Sequence, residues 1–334
     1  MKNKKNPKVV AFGGGTGLYS LLSGLKHTFD DIEVIVTVAD DGGSSGRLKR
    51  ELKIPPPGDI RNCIVALSES EPLMKELMQY RFDNGSLKGH SFGNIFLAAM
   101  TKLTGSFPEA VEKVSTILKV KGRIHPSTLE LVSLKALTKS GKKIRGESKI
   151  GKTTDLLSVE LHPRNPEANP LAIKAVESAD VMIFGPGSLY TSILPNLLVK
   201  GMVEAIKKNE RALKIFVLNV MTQPGETQGY TASDHVKAIF RHTEEKIFDV
   251  ILVNTGVFPG RILKKYAKEG AYPVAIDRGE LEKLGLKIVS RDLALGEDFA
   301  RHDPEKLARA IYNIYHESIW GKAISKRNPQ LQTG

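Results

Sequence analysis

The sequence predicts an α/β protein with a Rossmann-like three-layer fold, in which a mostly parallel sheet is covered by helices on both faces. Short apolar runs rich in β-branched residues alternate along the chain with segments of helical periodicity. These runs are apolar at successive positions, which is typical of strands buried on both faces of a parallel sheet. With 334 residues and 41% hydrophobic content, the chain is long enough to bury a core of this size.

Seven apolar runs are predicted strands, and they cover residues 8–13, 32–39, 180–184, 214–220, 248–254, 273–276 and 287–291. Ten segments with apolar residues at helical spacing are predicted helices, and they cover residues 17–28, 44–53, 59–69, 72–81, 92–103, 108–118, 190–208, 231–244, 260–269 and 303–319. The segment 190–208 has a broad apolar face that includes Ile193, Leu197 and Ile206. We expect these elements to form a single domain over residues 8–320.

Residues 119–162 are expected to form a small antiparallel β insertion between the two halves of the sheet. Their apolar stretches are shorter, and the turn-forming pair Ser140–Gly141 is flanked by lysines. The segment 135–152 within this insertion has seven basic residues against one acidic residue. We expect this segment to contact an anionic partner or a neighbouring subunit, with a solvated loop as the alternative.

The formal net charge of +12 is concentrated in that segment and at the two ends of the chain. Residues 1–7 and 321–334 are basic and are predicted to be disordered tails. Because no basic groove with interleaved aromatic residues is visible, no nucleic-acid partner is expected. Cys63 is the only cysteine, and the apolar run after the basic N-terminus is too short for a signal peptide or a membrane span. We therefore expect a cytoplasmic protein without membrane insertion.

The turn GGGTG follows the first predicted strand and leads directly into a helix, with Thr16 as its predicted N-cap. Glycines allow a ligand to approach the backbone closely, and the free NH groups of a helix N-terminus favour an anion. Gly13 and Gly15 match the dinucleotide-binding pattern G-x-G-x-x-G, but Leu18 occupies the third glycine position. The turn therefore predicts a phosphate without indicating NAD specifically.

The first five predicted strands are each followed by a loop that combines glycine with hydroxyl or amide side chains. These loops are residues 13–17, 39–47, 185–196, 219–230 and 254–260. The carboxyl ends of parallel strands open on one edge of the sheet, where ligands of α/β proteins bind. Each loop alone could be an ordinary turn. Together, they predict a ligand cleft along that edge.

The second of these loops places Asp40 and Asp41 beside a glycine turn that could hold a phosphate. Two carboxylates repel a phosphate unless another group intervenes. Three groups could relieve this repulsion: a divalent cation, a sugar hydroxyl that donates hydrogen bonds to the carboxylates, or the positive charges of Arg47 and Arg61. Asp40 also lies near the position of the ribose-binding acid of a Rossmann fold. An ordinary Asp-Gly turn is the structural alternative.

Two further helix starts carry polar groups. The sequence PPPGDIRN begins a helix at Gly58, with Asp59 as its predicted N-cap and Asn62 in its first turns. The sequence GHSFGN also begins a helix, and its His90 and Asn94 are candidate ligand contacts. His90 could be an acid/base group or a phosphate donor, although a single histidine is often structural.

Two pattern matches are interpreted as accidental. GESKIGKT over residues 146–153 fits the Walker A pattern, but a basic hairpin precedes it and a strand-like segment follows it. GGSSG over residues 42–46 fits the hydrolase elbow pattern, but two aspartates adjoin it. The sequence contains no metal-binding cluster of cysteine or histidine.

The combination of GGGTG, ADDGGSSGRL, PPPGDIRN, GHSFGN and GPGSLYTSILPNLLV closely resembles the bacterial gluconeogenesis factor (YvcK-like) family, within the 2-phospho-L-lactate transferase (CofD-like) superfamily. The resemblance extends from Lys8 to about Trp320. It implies a cytoplasmic protein that binds UDP-sugars, notably UDP-N-acetylglucosamine, and that supports cell shape and envelope precursor supply during growth on gluconeogenic carbon sources. A protein partner in cell-envelope synthesis is also implied.

The transferase branch of this superfamily moves a phospholactyl group from a guanylyl donor onto a deazaflavin precursor with Mg²⁺. The triple proline of PPPGDIRN and the doubled serine of GGSSGR look like the gluconeogenesis-factor branch, for which no reaction is established. We therefore predict no catalytic residues, and a Mg²⁺-dependent transferase is the alternative. An NAD-type dinucleotide is an alternative ligand, metal ligands are left open, and a homo-oligomer is expected.

The resemblance implies diphosphate contacts at Gly14, Gly15, Thr16, Gly187 and Ser188. It further suggests ribose or base contacts at Asp40, Asn62 and Asn219, and a sugar or phosphate contact at Arg301, at the start of the last helix. A surface role at the entry to that helix is the alternative for Arg301. The complete set of predicted ligand-binding residues is Gly13, Gly14, Gly15, Thr16, Asp40, Asp41, Asp59, Asn62, His90, Asn94, Gly187, Ser188, Asn219 and Arg301.

Overall fold

The structure, a computed structural model, describes residues 6–295 and 298–327 of the chain. The strands of this part are β1 (Lys8–Gly13), β2 (Asp31–Val36), β3 (Arg123–Pro126), β4 (Ser133–Thr138), β5 (Lys143–Arg145), β6 (Leu156–His162), β7 (Val181–Phe184), β8 (Leu213–Val217), β9 (Val250–Asn254), β10 (Lys287–Arg291), β11 (Ala294–Leu295) and β12 (Arg301–His302).

The α-helices of the same part are α1 (Gly15–Thr28), α2 (Gly43–Leu52), α3 (Gly58–Leu67), α4 (Pro72–Gln79), α5 (Phe92–Thr104), α6 (Phe107–Ile117), α7 (Glu147–Ile150), α8 (Pro170–Ser178), α9 (Leu194–Leu197), α10 (Met202–Lys208), α11 (Ala232–Thr243), α12 (Gly260–Lys268), α13 (Arg278–Lys283) and α14 (Pro304–Arg327). A single π-helical turn, Leu189–Ile193, precedes α9.

The central sheet has seven parallel strands in the order β10-β9-β8-β7-β1-β2-β3. Strands β2 and β3 follow on one side of β1, and strands β7 to β10 follow on its other side. The order of the strands therefore reverses between β1 and β7, which is a topological switch point. The five polar loops follow β2, β1, β7, β8 and β9, which are contiguous in the sheet. The predicted fold class is confirmed, and these loops share one edge.

Apolar layers cover both faces of this sheet. Val9 and Ala11 of β1 belong to one layer, whereas Val10 and Phe12 belong to the other, and all four are fully buried. Alternate residues of a strand point to opposite faces, so a strand buried on both sides must be apolar throughout. No helix in the described residues is long and apolar enough to cross a membrane.

The β insertion is smaller than predicted. Strands β4, β5 and β6 form an antiparallel sheet, with short helix α7 between β5 and β6. Arg123–Pro126, inside the predicted insertion of 119–162, is instead the edge strand β3, parallel to β2. This four-residue strand mixes charged and apolar side chains, so its sequence carries no clear strand period. The expected partner of the basic segment stays a prediction.

The predicted helix 190–208 is interrupted. The π-helical turn and α9 replace its first half, and α10 begins only after Gly201, which has a φ of 86°. A glycine with left-handed backbone angles cannot continue an α-helix. Pro195 has no NH to donate within a helix, so it is accommodated in the first turn of a new helix, α9. The apolar face survives the interruption, because its side chains remain buried.

Two further predictions are corrected. Residues 273–276 make only isolated bridges, from Pro273 to Met221 and from Ala275 to Thr231, because proline has no NH for a strand ladder. Helix α14 continues to Arg327, so residues 321–327 are helical, since their alanine, lysine and arginine are good helix formers. Residues 1–5 and 328–334 of the predicted tails lie outside the described residues. Helix α8 was not predicted, although Asn169 caps it.

Candidate functional site

A cleft of about 330 Å³ lies at the switch point, between the carboxyl ends of β1, β7 and β8. It is lined mainly by glycine, hydroxyl and amide groups, with one arginine and one histidine. The lining residues are Gly14, Gly15, Thr16, Gly17, Ser20, Pro186, Gly187, Ser188, Ser192, Asn219, Val220, Met221, Gln223, Tyr266, Ala300, Arg301 and His302. Three of the five polar loops, those after β1, β7 and β8, thus meet where ligands of this fold class bind, whereas the loops after β2 and β9 do not line the cleft.

Helix α1 points its N-terminus at this cleft. The helix begins at Gly15, extended Gly14 is its N-cap, and no side chain caps it. The predicted cap at Thr16 is wrong, because Thr16 already lies inside the first turn, where its side chain is exposed. The NH groups of a first helical turn have no partner within the helix. Those of Thr16 and Gly17 therefore suit an anion.

The glycines of this turn bring protein groups together. A Cβ on Gly14 would lie 2.6 Å from the Oδ2 of Asp59. A Cβ on Gly17 would lie 2.6 Å from the carbonyl oxygen of Pro186, in the loop after β7. The carbonyl of Pro186 is backbone and cannot rotate away, so α1 packs against the loop after β7 in this way only with glycine at position 17, whereas at Gly14 the Asp59 carboxylate would have to move.

Two of the predicted phosphate donors are already hydrogen-bonded. The NH of Gly187 donates to the Oδ1 of Asn219 at 2.9 Å, and the Nδ2 of Asn219 donates to the carbonyl of Gly187 at 2.8 Å. The NH of Gly15 donates to the carboxyl of Asp59. Asn219 is therefore a clamp on the backbone after β7, and a ligand would compete with it. Ser188 donates to Gln223 at 2.8 Å, which joins the same two loops.

Glu226 holds the π-helical turn in place and was missed by the sequence analysis. It is 2% exposed and accepts hydrogen bonds from the NH of Tyr190 at 2.9 Å and from the Oγ1 of Thr191 at 2.6 Å. Burial raises its pKa. A π-helical turn often occurs beside a functional site. Here it links the loop after β7 to the loop after β8.

A group of carboxylates adjoins the glycine turn. Asp40 accepts a hydrogen bond from the NH of Gly42 at 2.8 Å, as in an ordinary Asp turn. Burial, then the charges of Asp40 and Asp41, raise the pKa of Glu147 to about 7. Burial, then Asp40, raise the pKa of Asp59 to about 6. These carboxylates repel one another, so together they favour a proton, a cation or a hydroxyl donor.

The insertion reaches this group through α7. The Oδ1 of Asp41 accepts hydrogen bonds from the NH and the Oγ of Ser148, at 3.1 and 2.9 Å. Gly146 packs so closely on Asp41 that a Cβ would overlap its carboxylate. Gly146 and Ser148 of the Walker A pattern therefore contact Asp41, in agreement with the interpretation of that pattern as accidental. No three histidine, cysteine, aspartate or glutamate side chains of the described residues are placed to hold a metal ion.

Asp59 does not cap α3, contrary to the prediction. The helix begins at Gly58, with Pro57 at the N-cap position, and Asp59 lies in its first turn. Its carboxyl instead accepts the NH of Gly15, at the N-terminus of α1. Asn62 is half-buried on the same helix.

The N-termini of α2 and α5 meet in a separate polar group. The Oγ of Ser44 and the Nδ1 of His90 are 3.0 Å apart, and the Nδ2 of Asn94 donates to Ser45 at 3.4 Å. Burial, and next Arg47, lower the pKa of His90, so its ring is neutral near pH 7. Both Ser44 and His90 are buried, so the GGSSG serine packs against a histidine inside the protein.

Arg301 lies in β12 rather than at the start of the last helix, because α14 begins at Pro304. Its side chain is exposed, and its guanidinium stacks 4.6 Å from the centre of the Phe299 ring. From this position it lines the switch-point cleft with a positive charge.

The structure sorts the predicted site residues into groups. Those lining the cleft are Gly14, Gly15, Thr16, Gly187, Ser188, Asn219 and Arg301. Those of the neighbouring carboxylate group are Asp40, Asp41 and Asp59. His90 and Asn94 belong to the polar group at α2 and α5, and Gly13 and Asn62 do not line the cleft. Residues that sequence analysis did not select are Gln223, Glu226, Glu147, Ser148, Tyr266 and His302.

Comparison with known proteins adds four findings. A family model described as 2-phospho-L-lactate transferase CofD matches residues 9–294. The chain is 48% identical over 316 residues to the gluconeogenesis factor of Bacillus subtilis, covering 94% of this chain and 99% of that protein. It is also 48% identical over 310 residues to the gluconeogenesis factor of Halalkalibacterium halodurans, covering 92% and 96%. A crystal structure of a UPF0052 family member from Bacillus halodurans has a TM-score of 0.90 at 48% identity, covering 93% of this chain and 100% of that one.

Proposed function

The chain belongs to the 2-phospho-L-lactate transferase CofD family, and we propose that it is a regulatory protein that binds a nucleotide sugar, UDP-N-acetylglucosamine. One observation carries the proposal. The glycine turn at the N-terminus of α1 and the loops after β7 and β8 converge on a single polar cleft at the switch point. A helix N-terminus at such a point is a general site for a nucleotide phosphate.

The groups around the cleft match the parts of this ligand. The diphosphate binds the NH groups of Thr16 and Gly17, and Arg301 of the same cleft supplies a positive charge. The carboxylates of Asp40 and Glu147 accept hydrogen bonds from hydroxyl groups of the sugar. Such bonds relieve their mutual repulsion without adding a negative charge.

The biological role is proposed from the relatives. Two similar proteins are named gluconeogenesis factors. We propose that this chain acts in the cytoplasm, where its occupancy by the nucleotide sugar reports envelope precursor supply during growth on gluconeogenic carbon sources. A protein partner in envelope synthesis would then read that state, and cell shape would depend on it.

Titration of the full chain with UDP-N-acetylglucosamine tests ligand binding. We expect a single site by calorimetry and a rise in the free energy of unfolding of about 2.7 kcal/mol when free ligand is 100 times the Kd. GDP and NAD serve as competitors, and we expect both to bind more weakly. Absence of heat and of thermal stabilisation at millimolar ligand would contradict the proposal.

A Mg²⁺-dependent transferase that uses a nucleotide-activated donor is the second candidate. It is favoured by the mutual repulsion of Asp40, Asp41 and Glu147 beside the cleft. Mg²⁺ is usually bound by one or two carboxylates, with substrate phosphates completing its shell, and Asp40 and Glu147 could supply those carboxylates. The ion would neutralise charge on the phosphates.

The test of this candidate is turnover of a guanylyl-activated phospholactate donor by the full chain. If the chain is a transferase, its turnover depends on Mg²⁺ and falls at least about tenfold in Asp40→Asn, which removes one of the two carboxylates that would hold the ion. We expect no turnover in either protein, together with binding of UDP-N-acetylglucosamine that does not require Mg²⁺. Mg²⁺-dependent turnover by the wild type would replace the first proposal with the second.

A further inference from the structure

His302 lines the switch-point cleft and has no role in the site described so far. It lies at the end of β12, and only 5% of the residue is exposed to solvent. One ring nitrogen donates to the backbone carbonyl of Leu218, the residue after β8. The other nitrogen, Nε2, is buried and has no hydrogen-bond partner among the residues that the structure describes.

These two contacts decide which hydrogen bond the ring can still make. Because Nε2 has no partner, the donor to Leu218 is Nδ1, and a neutral ring carries only one N–H. Burial lowers the pKa of His302 to about 4, so the ring is neutral near pH 7. Nε2 therefore presents a lone pair, and a buried acceptor without a donor is unfavourable.

A phosphate cannot satisfy this acceptor, since an ionised phosphate has no hydrogen to donate. The partner must carry an N–H or O–H hydrogen, and those of a nucleoside are uncharged. A second cavity of about 230 Å³ begins next to the cleft and shares Asn219 and Val220 with it. Phe258 and Val274 are among its apolar walls, which suit a planar ring.

We infer that His302 determines specificity in the cleft, and that its Nε2 accepts a hydrogen bond from an uncharged donor on the nucleoside of the ligand. The inference rests on the proposed function, because it assumes that a nucleotide occupies the cleft. The donor is either the imide N–H of the base or the 2′-hydroxyl of the ribose. The apolar cavity beside the cleft is the space that a base would fill.

The experiment compares the affinities of UDP, N3-methyl-UDP and 2′-deoxy-UDP for the full-length wild type and two variants. His302→Asn keeps a donor near Nδ1 but has no acceptor at Nε2, whereas His302→Gln extends an amide oxygen towards the Nε2 position. His27→Asn, an exposed histidine on α1, is the control.

We expect wild type to bind one of the two analogues roughly tenfold more weakly than UDP, which identifies the base or the ribose as the donor. His302→Asn should bind UDP roughly tenfold more weakly and should no longer distinguish that analogue. His302→Gln should recover part of the discrimination, and His27→Asn should behave as wild type.

Two results would overturn the inference while leaving the proposed function intact. One is equal wild-type affinity for UDP and both analogues. The other is a His302→Asn variant that loses affinity for all three ligands by the same factor, which is the result of a structural role. Absence of binding of both UDP and UDP-N-acetylglucosamine by the wild type would instead overturn the proposed function and, with it, this inference.

Discussion

Gly17→Ala is expected to weaken the binding of UDP-N-acetylglucosamine by roughly 100-fold, although the added group is a single methyl. The new Cβ would lie 2.6 Å from the carbonyl oxygen of Pro186 and 3.0 Å from the nitrogen of Gly187. Both are backbone atoms, so the overlap cannot be relieved by rotating a side chain. The loop after β7 must move away from α1, and the two sides of the phosphate site then separate.

Calorimetric titration measures this loss, and denaturant unfolding shows whether the variant is folded. We expect a decrease of about 1–3 kcal/mol in the free energy of unfolding, which is typical of an overpacked contact. Gly279→Ala is the matched control, since Gly279 is also a helical glycine but has no atom within 4 Å of the added Cβ. Wild-type affinity in a folded Gly17→Ala protein would show that the ligand does not depend on the convergence of β1 and β7.

The fold could be predicted because its signals are local. Strands such as Val181–Phe184 and Val250–Asn254 are apolar at nearly every position, and this pattern alone indicates a sheet covered on both faces. The errors occur where a local pattern has two structural solutions. The apolar face of 190–208 fits one long helix as well as it fits the interrupted helix that is observed. Only packing selects the π-helical turn.

The position of the cleft could also be predicted, since it follows from parallel strands with polar loops at one edge. The internal contacts of the site could not. Asn219 and Gly187 are separated by 32 residues, and the pair between Ser148 and Asp41 spans 107 residues. No periodicity links such positions. Even the residue types mislead, because Asp59 resembles an N-cap but binds the start of a different helix.

Replacement of Glu147 by glutamine is expected to stabilise the free protein at pH 8 by about 2 kcal/mol, although it removes a carboxylate from the proposed site. Burial, then Asp40 and Asp41, raise the pKa of Glu147 from an ordinary 4.5 to about 7. The folded chain therefore keeps a proton that the unfolded chain releases between these pH values. Wild type loses stability as the pH rises through this window, whereas Glu147→Gln does not.

Urea unfolding of both proteins from pH 4 to pH 8 measures the difference. It should be close to zero below pH 4.5, grow through the window and level off above pH 7. Glu280→Gln is the control of opposite sign, because hydrogen bonds from Lys283 and Lys237 lower the pKa of Glu280. A difference that does not vary with pH would show that Glu147 has an ordinary pKa in the folded protein.

The same variant connects this repulsion to ligand binding. If a sugar hydroxyl donates to Glu147, UDP-N-acetylglucosamine should stabilise wild type more than Glu147→Gln at pH 8, since only the ionised carboxylate gains a charge-assisted hydrogen bond. UDP lacks the sugar and should stabilise both proteins equally. Repeating the titration with and without Mg²⁺ separates the two candidate functions, because a bound cation would restore the wild-type advantage with UDP alone. Equal stabilisation by the nucleotide sugar would place its hydroxyl groups away from the carboxylates.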